Sequence, residues 1–452
     1  METYIILIFI LGYLLIALEH PVKINKTATA LVTGALCWTL FALAVPYSSF
    51  LDSDHYSAFV KDLNIPVDPH SAQIYHRFVE SELALHLGQI ASILFFLMGA
   101  MTVVELVDAH HGFRFITDRI KTKDVRKLLW IVSWTTFFLS SILDNLATAI
   151  VMVSLSRKLI HEKEKRLFFA GMIIIAANAG GAWTPIGDVT TTMLWIGGQI
   201  STVAIMMKLL APSMISLLVP LLYLSFTLTG NLQKDPHLHE KKDELYGKGG
   251  KIMLFGGIGL LIFVPAFKAI TDLPPYLGMV LGLGILWVVS ELINPDLDEL
   301  EKKKYSAAAA LARIDISSVL FFFGILLSVS ALESMQTLHH FAEYLGNVLG
   351  DNRIIITFIG LFSAIANNVP LVAACMGMYP LDAYPIDHMI WEYLAYCAGT
   401  GGSILIIGSA AGVAVMGMEK INFIWYLKKI SFLALIGYLG GAAVYLFFDY
   451  YK

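Results

Sequence analysis

Stretches of about 20 apolar residues, the length a helix needs to cross a bilayer, recur from one end of this 452-residue chain to the other. A backbone inside lipid has to satisfy its own hydrogen bonds, so runs of this length fold as membrane helices. Charged residues are 15% of the chain, against roughly 25% in soluble domains, and no polar stretch is long enough for a separate soluble domain. The sequence therefore predicts an all-α polytopic membrane protein with no nucleic-acid partner. Cys37, Cys375 and Cys397 lie in apolar runs and read as small hydrophobes. Residues 1–18 lack a basic leader and a clear cleavage site, so they read as a first membrane helix and not a signal peptide.

Candidate spans are 3–18, 28–46, 84–107, 167–197, 203–229, 252–269, 276–293, 315–333, 390–417 and 430–449. Two more apolar stretches, 128–156 and 353–378, do not fit as single crossings. Basic residues flank the first on both sides, from Arg114 to Lys127 and from Arg157 to Arg166. Under the positive-inside rule both flanks are cytoplasmic, so 128–156 is expected to enter and leave on that side as a re-entrant helical hairpin. The flanks of 353–378 carry almost no basic residues, which predicts a hairpin entering from outside. Lysine-bearing loops around 234–251, 302–313 and 420–429 fall inside. The acidic loop 47–82 and both termini fall outside. About ten spans and two opposed hairpins result.

The same glycines return in register. Gly180, Gly181 and Gly187 after the first hairpin align with Gly401, Gly402 and Gly408 after the second. Asp144-Asn145 and Asn367-Asn368 fall at nearly the same distance upstream. An inverted repeat follows, a frequent plan for secondary transporters. The expected organisation is 1–83 as N-terminal scaffold helices with the external loop, then 84–230 as the first repeat, with hairpin 128–156 and broken helix 167–197. Residues 231–314 form linker and scaffold helices. The second repeat is 315–452, with hairpin 353–378 and broken helix 390–417.

Each glycine cluster interrupts an apolar run, and Pro185 removes a backbone donor, so the half-helices should leave carbonyls and N-termini at the membrane midplane. Asp144 falls at the first hairpin tip and Asp188 just past the first break. A carboxylate at membrane depth is expensive and reads as functional by default. It can hold Na⁺ or H⁺ but not comfortably both, and competition for one site is what antiport requires. Na⁺ prefers oxygen ligands, available from Asp144, Asn145, Asn178, Asp188, Thr190 and Thr191. The bland alternative is that both aspartates only cap helices. Asn367, Asn368, Thr400 and Ser403 are second-repeat candidates. Glu105, Asp108 and His110 either line an entrance or sense pH, or are interfacial charges. His86, one turn after Glu82, could titrate near neutral pH, but a lone intramembrane histidine is more often a helix-packing contact.

At these residues the sequence resembles the NhaD-type Na⁺/H⁺ antiporters of the ion transporter superfamily. The matching pieces are Val104 to His110, Ser141 to Thr148, Asn178 to Thr192, Ala366 to Pro370 and Gly399 to Gly402. The resemblance implies inverted repeats with hairpins and broken helices, a homodimer, and elevator-like movement. It also implies a sodium site near Asp144, Asn178, Asp188 and Thr190. The expected activity is exchange of Na⁺, or Li⁺, for H⁺ across a bacterial inner membrane, with lipid and monovalent cations as partners and no cofactor. The runner-up is a sodium-coupled organic anion symporter or an oxyanion exporter on the same scaffold. No lysine or arginine sits at either tip to meet an anion. An enzyme is not expected, since H-E-x-x-H is missing, and the absence of a phosphate-binding G-x-x-x-x-G-K-[ST] argues against ATP-driven pumping.

Overall fold

The computed structural model describes residues 2–17, 22–43, 54–62, 71–113, 115, 122, 124–231, 248–293, 305–365 and 368–450. Among the described residues the secondary structure is helical, apart from one isolated bridge between Asp124 and Asn231. In chain order the main helices are α1 (Glu2–Ala17), α2 (Lys26–Leu43), α3 (Ala72–Ala109), α4 (Val125–Ser140), α5 (Asn145–Leu159) and α6 (Lys163–Gly181). Then come α7 (Val189–Ile196), α8 (Thr202–Thr227), α9 (Lys248–Thr271), α10 (Pro275–Ile293), α11 (Ile316–Ser334) and α12 (Thr337–Leu349). The last are α13 (Asn352–Ser363), α14 (Asn368–Met378), α15 (Met389–Gly401), α16 (Ala410–Glu419) and α17 (Ser431–Tyr450).

Among the described residues, seven helices are long and apolar enough to cross a membrane, or up to eight if a bent pair counts as one. The three other predicted spans are α1, only 16 residues long, and the interrupted pairs α6–α7 and α15–α16. Many basic loop residues used for orientation, including Arg114, Arg119, Lys121, Lys234 and Lys302, lie outside the described residues.

The chain forms two compact units. The first holds residues 1–94, 315–351 and 373–384. In it α2 packs along α11, with the Thr27 and Ser317 hydroxyls 2.9 Å apart and Trp38 Nε1 donating to the Leu327 carbonyl at 2.8 Å. The sequence predicts an external loop over 47–82; the structure differs. Asp54–Asp62 is a helix, and α3 already begins at Ala72 and runs 38 residues. Ile74, Tyr75, Phe78 and Val79 are buried at helical spacing in an otherwise polar stretch, and Tyr75 donates its hydroxyl to the Phe41 carbonyl at 2.6 Å. Such an amphipathic helix carries a stripe of apolar residues, which a search for continuous apolar runs passes over.

The second unit holds residues 95–314, 352–372 and 385–452. Here α4 and α5 pack on each other and on α6, α13 packs on α15, and α8 packs along α17. Breaks fall at 141–144 in the first predicted hairpin and from 364 in the second, and at 182–188 and 402–409 in the two interrupted helices. The glycines before those last breaks act by closeness, not by loosening the helix: neither Gly180 nor Gly401 has a positive φ. A Cβ on Gly180 would lie 2.2 Å from the Phe137 carbonyl oxygen, and one on Gly401 would lie 2.1 Å from that of Gly360. Gly401 follows Gly180 by 221 residues and Gly360 follows Phe137 by 223. Likewise Ser140 Oγ donates to the Ala177 carbonyl at 2.6 Å, and Ser363 Oγ to that of Ala398 at 3.3 Å. In both halves a helix docks on the interrupted helix that follows it, α4 on α6 and α13 on α15, through matching small residues, the packing that brings membrane helices closest.

Buried carboxylates elsewhere in this unit are paired. Glu419, at the end of α16, accepts from Arg157 Nε at 2.6 Å and Arg166 Nε at 2.8 Å. Glu392 in α15 pairs with Lys208 and accepts from Tyr445 at 2.9 Å.

Candidate cation site

Asp188 is the N-cap of α7. Its Oδ1 accepts from the Thr190 backbone N–H at 3.0 Å and from Thr190 Oγ1 at 3.1 Å. Its Oδ2 accepts from Asn145 Nδ2 at 2.7 Å and more loosely from Asn368 Nδ2 at 3.5 Å. Four donors therefore converge on a carboxylate that is 2% exposed, and every one is neutral. Asp144 is the N-cap of α5, accepting from the Ala147 N–H at 2.7 Å, and is close enough to Asp188 for the charges to interact. Among the described residues neither aspartate has a lysine, arginine or histidine partner, in contrast to Glu392 and Glu419. Asp144 also holds φ 134° and ψ 163°, a conformation essentially confined to glycine.

Both aspartates do cap helices, as the bland alternative has it. Capping does not require a carboxylate, however. In the second half the place of Asp188 falls to Ser409, 221 residues on, which caps α16 by accepting from the Gly412 N–H at 3.1 Å. Serine and aspartate cap about equally well. The charge at Asp188 is thus more than the helix end demands.

Of the other predicted residues, Asn178 joins the network directly. Its Oδ1 accepts from Asn145 Nδ2 at 3.0 Å, and its Nδ2 donates to Ser403 Oγ and Ser409 Oγ, both at 2.9 Å. Thr191 and Thr400 spend their hydroxyls on backbone: Thr191 donates to the Asp188 carbonyl and Thr400 to that of Tyr396. Asn367 lies outside the described residues. Glu105, Asp108 and His110 gather at the C-terminal end of α3, with Glu105 in charge reach of Asp108 and Arg313. His110, just past that helix, is buried with Nδ1 2.9 Å from the Leu106 carbonyl and its ring against Tyr305. Burial pushes its imidazole below the ordinary histidine range. In the first unit His86 Nε2 lies 3.0 Å from Ser334 Oγ, which donates to Glu82 at 2.9 Å.

Two site features were missed by sequence reasoning. Ser409 follows directly on Gly408, the last of the aligned glycines. Thr148, one turn beyond Asp144, is fully buried with no hydrogen-bond partner for its hydroxyl. The other helical threonines Thr33, Thr102, Thr136 and Thr357 donate to the carbonyl four residues back.

Residues 13–399 match the family model described as citrate transporter. The chain belongs to this transporter family, among its NhaD-type members. It is 46% identical to sodium/proton antiporter 1 of Arabidopsis thaliana, over 97% of this chain and 71% of that protein. With the Na⁺/H⁺ antiporter NhaD of Vibrio cholerae it shares 28% identity over 98% of this chain and 91% of the relative. The YdaH transporter of Alcanivorax borkumensis, whose topology is described as unusual, is similar in fold, with a TM-score of 0.57 at 13% identity and coverage of 91% and 97%. An NhaD-type chain is a multi-pass membrane transporter, not an enzyme.

Proposed function

We propose that this NhaD-type chain exchanges Na⁺, or Li⁺, for H⁺ by alternating access at Asp144 and Asp188. The observation that carries this reading is an uncompensated charge: Asp188 is buried among four neutral donors, with Asp144 nearby and, among the described residues, no cationic side chain on either. A buried anion needs a counter-charge. A proton on the carboxylate or a hard cation bound by carboxylate and amide oxygens supplies one, and each excludes the other. The nearby oxygens of Asn145, Asn178 and Thr190 complete the proposed ligand set, with Asn368 and Ser403 joining from the second half.

The antiporter names of the relatives support the same exchange. The matching docking contacts of the two halves support reading 84–230 and 315–452 as repeats, inverted with respect to the membrane. Hairpins entering from opposite sides, elevator-type movement, a homodimer and flanking scaffold segments belong to the same proposal. So does placement in a membrane that holds a proton gradient, the inner membrane in a bacterium. No cofactor or ATP enters the cycle. A second reading, anion transport coupled to sodium, is favoured by the citrate description of the family model. Two buried carboxylates with no cationic partner among the described residues oppose it.

The test is proteoliposomes with an internal pH dye, an imposed proton gradient and added salts. Na⁺ and Li⁺ collapse the gradient and K⁺ does not, while Asp188→Asn abolishes the response without preventing insertion. Because H⁺ competes, the KM for Na⁺ rises as pH falls, approaching about tenfold per pH unit once the site is mostly protonated. A wild-type protein inert to Na⁺ but driving citrate uptake would move the assignment to the second reading.

A further inference from the structure

The side-chain network that starts at Asp188 runs in one direction only. An ionised carboxylate accepts hydrogen bonds and never donates them. Asn145 must therefore turn Nδ2 toward Asp188 Oδ2, 2.7 Å away. The second N–H of that same nitrogen meets Asn178 at 3.0 Å, so the Asn178 atom facing it has to be Oδ1. Asn178 Nδ2 is then aimed the opposite way, where its two protons go to Ser403 Oγ and Ser409 Oγ at 2.9 Å each. Asn178 is 0% exposed and Ser409 1%, so bulk solvent reaches neither.

We infer that Ser409 is a positioning residue for the cation: by anchoring Asn178 Nδ2 it keeps Asn178 Oδ1 on the Asp188 side as an oxygen ligand. The inference rests on the proposed exchange. An Asn178 amide released at its far end can rotate and present N–H protons to the site, and these repel a cation. Ser403 makes the same contact, but Ser409 is the one fixed by a second bond, because its hydroxyl oxygen also caps α16 at Gly412. The second half thus reaches the carboxylate by two routes. Asn368 touches it at 3.5 Å, and Ser409, standing where the first half has Asp188, acts through Asn178. A serine suits this place because a carboxylate there would add a charge and an alanine would offer no acceptor.

Full-length protein in proteoliposomes separates this role from plain capping. Ser409→Gly retains most of the helix cap, since glycine at an N-cap costs only a few tenths of a kcal/mol against serine, but it cannot accept from Asn178. The expected result is a KM for Na⁺ raised about tenfold, the size of one buried hydrogen bond, with the rate at saturating Na⁺ changed far less. Ser409→Thr, which retains the hydroxyl, returns KM to near wild type. Na⁺-dependent thermal stabilisation in detergent shifts to higher Na⁺ in the glycine variant and not in the threonine variant. A purely structural serine would lower stability without Na⁺ and leave KM alone, and that outcome overturns the inference. Should Ser409→Gly not fold, Ser409→Ala in the same Na⁺ titration decides it. Wild-type protein that exchanges no Na⁺ removes the functional reading and this inference together; wild-type exchange with an unshifted glycine variant removes only the inference.

Discussion

The Cβ that Gly180 lacks would lie 2.2 Å from the carbonyl oxygen of Phe137, nearer than any side chain can come to a backbone. Gly401 stands in the same relation to Gly360, at 2.1 Å. Either alanine substitution forces two packed helices apart, α4 from α6 or α13 from α15. Gly180→Ala and Gly401→Ala should each destabilise by about 3 kcal/mol, the upper end of ordinary overpacking. Gly88→Ala, with nothing within 4 Å of the new methyl, should be neutral or stabilise by less than about 1 kcal/mol. Loss of helical circular dichroism on heating in detergent measures the contrast, and equal effects at the three positions would refute it.

Asp144 combines the proposed chemistry with a strained backbone at φ 134°. Asp144→Gly removes strain on the order of 1–3 kcal/mol and gives up only a few tenths of a kcal/mol of capping. The variant should melt at or above the wild-type temperature yet exchange no Na⁺. A lower melting temperature would show that the carboxylate, and not the backbone, dominates the stability of the tip.

Thr148 carries a buried hydroxyl without a partner. Thr148→Val preserves shape and removes a polar group whose burial costs about 1–3 kcal/mol. Without Na⁺ the valine variant should be the more stable, by roughly 1 kcal/mol, in the same melting assay. Destabilisation would mean that the hydroxyl is satisfied in the protein as it exists.

Glu419 predicts an asymmetry. Its side chain is 1% exposed, whereas Arg157 and Arg166 are 43% and 22% exposed. Replacing either arginine alone by leucine leaves the carboxylate one guanidinium and should cost about 1 kcal/mol. Replacing both strands a buried charge and should cost about 3–5 kcal/mol. Additive costs in the double variant would disprove the shared clamp.

The helical plan was legible because it is written in runs of apolar residues. The predicted breaks near Gly180-Gly181 and Gly401-Gly402 coincide with the ends of α6 and α15. The meeting of Asn145, Asn178, Asp188 and Thr190 was legible from residue type, since few polar groups occur at that depth. Hydroxyl directions were not. Thr191 and Thr400 turn to backbone carbonyls, an option open to any helical threonine, while Thr148 does not take it. Ser409 stayed hidden for a different reason: a serine among apolar residues gives no signal until the two halves are superposed through Gly180 and Gly401. The first twelve residues of α3, 72–83, were missed because their apolar side chains recur at helical spacing and not in a run.

At the far end of α7 from Asp188, Lys268 donates to the Trp195 carbonyl at 2.9 Å, with its ammonium 4.8 Å from the centre of the indole ring. Only two turns of helix separate that indole from the carboxylate, and it is 1% exposed, so its surroundings are protein alone. The emission of an aromatic ring responds to a charge held over its face. An indole fixed by that ammonium, one of eight tryptophans in the chain, is a position at which a change of charge at the Asp188 end of the helix can be looked for by fluorescence.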